Sequence, residues 1–161
     1  MSFLNELKLQ AKAIESQQTQ QLQNFEANSA KTERACKVVS HYLQDLAKQL
    51  DVLTPSAPRY TLDGKTGWPP MKLMGFRADA RKKMLRDKEV YDYIAMGWDI
   101  VPLNGPVVAG SVSVNFPPEL ERVQKRLAFG HVEHEKKNVI HPEKKTLQAI
   151  CFEYTTKARG N

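Results

Sequence analysis

Three histidines, His131, His134 and His141, lie close together with Glu133 and Glu135 among them, residue types that ligate zinc. A metal needs its ligands on one side of an element. On a strand the odd separation of His131 and His134 sends them to opposite faces, and the pair of histidines four apart around a glutamate that hydrolytic zinc helices use does not occur here. The segment reads as a solvated charged strand, and no metal or cofactor is expected. Glu135-Lys136-Lys137 and Glu143-Lys144-Lys145 carry the acid-x-lysine spacing of metal-dependent nucleases, but no aspartate in a strand pattern completes either site. Gly64-Lys65-Thr66 resembles the end of a phosphate-binding loop, yet the position five residues before Gly64, which must be glycine, is Arg59. The thiols offer no nucleophile either: Cys36 falls within a helical pattern and Cys151 within a strand pattern, both suited to buried, inert sulfur. No serine sits in a Gly-x-Ser-x-Gly elbow. No catalytic residue is assigned, and a metal-dependent hydrolase or nuclease is a distant third reading.

The combination with more chemistry in it is basic and aromatic. Arg77, Arg81 and Lys83 alternate along one segment, and Tyr91 and Tyr93 follow on the next, pairing phosphate-attracting charge with rings on which bases stack. The net charge of +6 favours such a surface. Its distribution matters more: residues 1–53 hold six Lys or Arg against six Asp or Glu, so the excess lies in residues 54–161, densest from Lys72 to Lys88. A solvated sheet face with mutually covering long side chains explains the same residues.

These side chains need a hairpin to present them. From Met74 to Met84 the apolar residues fall mainly on even numbers, and from Val90 to Ile100 they do so again, the period of half-buried strands. Matching even to even sets Met84 opposite Val90, Lys82 opposite Asp92 and Phe76 opposite Trp98, with residues 85–89 as the turn. Arg81 then faces Tyr93 and Lys83 faces Tyr91 on the outer side, while the even face lies under helix.

Residues 2–53 contain no proline or glycine and are rich in Leu, Gln, Lys, Glu and Ala, which predicts helix. Leu4, Leu7, Ala11 and Ile14 recur at spacings of three and four, as do Ala35, Val39, Tyr42 and Leu46. Between them the stripe passes through Gln18, Gln21, Phe25, Asn28 and Thr32, polar except for the ring, which argues against a long independent coiled coil. Asn28-Ser29 is suited to cap a second helix, so two helices or one bent helix are expected, the second covering the sheet. The proline- and glycine-rich stretch 54–70 is a connector with a short edge strand at Arg59–Leu62; Trp68 either anchors it or, with Pro69-Pro70, docks an aromatic groove. Beyond the hairpin the pattern gives a strand at 111–116, a short helix at 119–129, a charged edge strand at 131–140 and a last, internal strand at 146–156.

The order implies an α+β chain with an antiparallel sheet of about five strands, covered on one face by the N-terminal helices, with one short helix between strands three and four. At 161 residues, with 41% hydrophobic and 26% charged residues, one domain is expected, its helical segment 1–53 packed on the sheet region 54–161. No apolar run approaches a membrane span, and neither a signal pattern nor a disulfide framework is evident, so a cytoplasmic protein without a membrane role is expected. The leading functional expectation is a non-catalytic interaction or assembly module, with a protein partner or another copy of itself engaged through the N-terminal helix. Nucleic-acid binding through Arg77, Arg81, Lys83, Tyr91 and Tyr93 is the alternative.

Overall fold

A computed structural model describes residues 3–161. One α-helix, α1, runs unbroken over Phe3–Leu53, through Asn28-Ser29, where a cap was expected. A capping side chain competes with the helix only where packing favours the break, and here the helix propensity on both sides prevails. Strands β1 (Met71–Leu85) and β2 (Lys88–Pro102) follow, then β3 (Ala109–Val114), helix α2 (Pro117–Phe129), β4 (His134–Ile140), β5 (Leu147–Thr155) and β6 (Ala158–Gly160). The architecture is α+β, but the strands form two antiparallel sheets of three, ordered β1-β2-β6 and β3-β5-β4, rather than one of about five. The chain divides into two compact units, residues 1–42 with 80–94, and residues 43–79 with 95–161.

The second unit holds the larger core. Phe152, Leu127, Val123 and Leu62 are essentially without solvent contact, and Val112, Val114, Val132, Trp68, Met71, Tyr154 and Ala158 close round them. Strand β5 is the middle strand of its sheet, with Val112 opposite Phe152 and Val114 opposite Ile150. On the far side β4 leaves every residue exposed, a charged edge that discourages sheet-to-sheet association. Helix α2 starts with Pro117 and Pro118 and turns Val123 and Leu127 inward. Gly130 closes it at φ −82°, so glycine serves space there: a Cβ would collide with the Tyr60 hydroxyl.

Trp68 stacks on Tyr154 with ring centroids 5.4 Å apart and tilts against Tyr60 at 4.4 Å, so it anchors its own loop. The edge strand expected at Arg59–Leu62 is reduced to one bridge, Thr61 to Gly67. Strand β6 has no signal in the sequence, being three residues long. It pairs Gly160 with Trp98 and Ile100 with Ala158, and a side chain on Gly160 would run into the indole.

The helix does not roof the sheet with the stripe expected to do so. Its covered side is Ser29, Glu33, Cys36 and Ser40, continued by Leu43, Ala47 and Leu50, whereas of the expected stripe Ala35, Val39 and Tyr42 are exposed and Leu46 is half-buried. No α1 residue belongs to the buried cluster around Phe152. Because Phe152 is fully enclosed, Phe152→Ala leaves a cavity that the second unit can only partly close. A loss of about 3–5 kcal/mol in unfolding free energy is expected, read as a lower urea midpoint.

Candidate functional site

The first unit contains the expected basic and aromatic residues apart from Arg77, which belongs to the second. The hairpin turns on Arg86-Asp87 alone, with φ of 48° and 62°. Positive φ at both central residues defines a two-residue turn whose twist suits a hairpin, and Leu85 and Lys88 become its closing pair. The tip register therefore lies one residue from the even-to-even match. Lys83, not Lys82, holds Asp92, at 2.6 Å, while Lys82 reaches Glu89 at 3.3 Å and lies 5.2 Å from the centre of the Tyr91 ring.

Alternation then fixes the faces. Arg81 and Lys83 share the side of Asp92 and Val90; Tyr91 and Tyr93 share the side of Lys82. The helix lies on the first of these: Leu85 and Val90 line a small cavity together with Leu22, Phe25 and Ser29 of α1. Met84, expected under the helix, is 67% exposed instead. The structure thus gathers Arg81 with Lys83 and Tyr91 with Tyr93, and does not gather the four on one surface. In the second unit Phe76 and Trp98 remain half-buried with centroids 6.1 Å apart.

Several cations of this region have partners. Arg77 reaches Asp99 at 3.4 Å, Lys88 reaches Glu26 of α1 at 3.7 Å, and the Arg86 guanidinium lies 4.8 Å from the centre of the Phe25 ring. Hydrogen bonding from Lys83, helped by the charges of Lys83 and Arg81, holds the Asp92 carboxyl below its ordinary value. Carboxylates of α1 also bind strand backbone: Glu33 accepts from the Tyr91 N–H at 2.9 Å, and Asp51 from the Phe76 N–H at 3.0 Å.

The other sequence candidates are occupied by structural work. In the Gly64-Lys65-Thr66 turn, Asp63 accepts the N–H groups of Lys65 and Thr66 and the hydroxyls of Thr61 and Thr66. Burial would raise that carboxyl, but these bonds outweigh it and hold it low. The cradle that would receive a phosphate is filled by the loop's own aspartate. His141 accepts the N–H groups of Glu143 and Lys144 through Nδ1, and the His134 ring bonds the Val132 carbonyl. His131 lies in a turn with φ 46°, not on the expected strand. Lys137 bridges Glu135 and Glu153, which sit directly opposite each other across β4 and β5. Among the described residues, no group of three His, Cys, Asp or Glu is placed to hold a metal. Both cysteines are half-buried rather than enclosed.

Large apolar side chains of the N-terminal helix are on the surface, among them Val39 and Tyr42, which the sequence pattern lays on the sheet. Leu4, Leu7 and Ile14 are 58%, 47% and 56% exposed, and Val39 and Tyr42 are 47% and 64% exposed. They recur at heptad spacing, and Val39 and Tyr42 are turned roughly 100° or more round the helix from the side that packs on the hairpin. The polar interval of that stripe coincides with the hairpin tip: Gln18, Gln21, Leu22 and Phe25 form a cavity of about 430 Å³ with Arg86. Below it, residues 3–28 are exposed throughout. No helix is long and apolar enough to cross a membrane among the described residues. Comparison with protein-family models, curated proteins and solved structures gives no match for this chain.

The Lys83–Asp92 contact supplies a direct check. A carboxyl held low stabilises the folded state above its unfolded pKa, and that contribution disappears as pH falls through the folded value. Carbon-detected titration should place Asp92 below 3.8 in the native chain, and Lys83→Met should move the midpoint upward.

Proposed function

We propose that this chain is a non-catalytic assembly module that associates with copies of itself through the stripe on α1. The single observation behind this reading is the set of large apolar side chains left in water at heptad spacing, Leu4, Leu7, Ile14, Val39 and Tyr42. Residues 3–17 are exposed throughout, whereas most helical stability in proteins comes from packing of an amphipathic face. Covering the stripe supplies that packing. A second copy offers the same stripe, and a self-complementary patch is what a two-fold dimer requires.

A lipid surface is a poorer match. Glu6 and Glu15 offset Lys8 and Lys12 on this segment, leaving no net positive charge for anionic headgroups. The nucleic-acid reading has less support still, because Arg77, Lys82, Lys83 and Lys88 are matched by acids and Arg86 by a ring. It would require binding that weakens steeply with salt and with charge reversal at Arg81.

Light scattering coupled to size exclusion should return twice the mass of one chain for the native protein at micromolar concentration. Leu7 and Ile14 each contribute roughly 1.5–3 kcal/mol when fully covered. The double variant Leu7→Asp with Ile14→Asp should therefore weaken association by about a hundredfold or more, giving the mass of one chain. A native protein monomeric at every accessible concentration would sink the reading.

A further inference from the structure

Resting on that self-association, we infer that the two copies run antiparallel, with the bare segment Leu4–Ile14 of each laid on the hairpin-supported segment Thr32–Tyr42 of the other. Reversed, the outer ends of the stripe match each other. Leu4 meets Tyr42, Leu7 meets Val39, and the small Ala11 meets the small Ala35, while Gln18 meets Asn28. The exceptions to like meeting like are Ile14 against Thr32 and Gln21 against Phe25.

Support decides between the two directions. In a parallel pair the segments 3–17 meet only each other, and neither has anything behind it, since residues 3–28 are exposed in the isolated chain. In the antiparallel pair each lies on a partner segment already held in place. Glu33 is bonded to the Tyr91 backbone, Cys36 is half-buried, and Ser40 is buried. A rigid receptor means that only the incoming segment loses freedom on docking.

Length decides against a shorter match. Residues 4–42 rise through about 58 Å, and a strip of that length and one helix width, about 10 Å, covers roughly 600 Å² on each copy, about 1,200 Å² in all, which reaches the range of stable interfaces. Pairing restricted to residues 4–14 would cover about 330 Å² in all, less than many lattice contacts.

Full-length chains carrying Leu7→Cys and Val39→Cys, mixed in equal amounts and oxidised with copper phenanthroline, test the direction by peptide mapping. A disulfide needs Cα atoms within about 7 Å, so it reports which positions face each other. The expected result is a link between positions 7 and 39 in the mixture and none between two positions 7 when Leu7→Cys is oxidised alone. Links of 7 to 7 and 39 to 39 would overturn the antiparallel arrangement and leave self-association standing. A dimeric mass with neither kind of link would overturn it too, placing the interface elsewhere. A native chain that stays monomeric and instead co-sediments with anionic vesicles would remove both the arrangement and the reading beneath it.

Discussion

Helix α1 is covered along one side only, and the close approach of strand backbone there sets which side chains that side can carry. The hairpin takes the side with small and polar residues, Ser29, Glu33, Cys36 and Ser40, which lets strand backbone come close to the helix. The adjacent side keeps Leu4, Leu7, Ile14, Val39 and Tyr42. These are larger side chains, and each would hold a packed neighbour farther away. Beside Tyr91 the small and polar side admits close approach of the strand, and the bulkier side chains of residues 39 and 42 stay exposed. The polar interval fits the same scheme, because Arg86 already lies over Phe25 there and a continuous apolar seam would have little to gain.

Much of the second unit was legible in the sequence. Strict alternation in Val112 and Val114 and again in Phe152 and Tyr154 marks strands whose even side is buried, and the structure buries those residues. Pro117-Pro118 and Gly130 bound α2 as their backbone preferences require. The hairpin register was not legible, for a specific reason. Two-residue turns announce themselves through Asn-Gly or Asp-Gly, and Arg86-Asp87 adopts the same positive φ angles without glycine. Once the turn shrinks from five residues to two, the apparent match of even with even gives way at the tip.

The helix was misread for a different reason. Periodicity reports that an apolar stripe will be covered, but says nothing about what covers it. The pattern turns the stripe through Val39 and Tyr42 toward the core, whereas the side that packs on the hairpin, Ser29, Glu33, Cys36 and Ser40, carries little hydrophobic signal before Leu43. Close packing of a strand against small residues leaves a weak trace in composition, and Ser40, a buried polar residue, would ordinarily count against burial. The basic cluster was similarly ambiguous: sequence shows that Lys83 and Asp92 exist nine positions apart, but only the turn decides that they touch.

Glu33 and Asp51 hold the strands by their peptide N–H groups, not by any side chain of residues 91 and 76. Every amino acid except proline carries that donor. Drift at those strand positions is therefore tolerated by the grip itself, while the two acids are not interchangeable with neutral apolar residues. A lineage descended from this chain would be free to redecorate its hairpin and still inherit the same union of helix and ribbon.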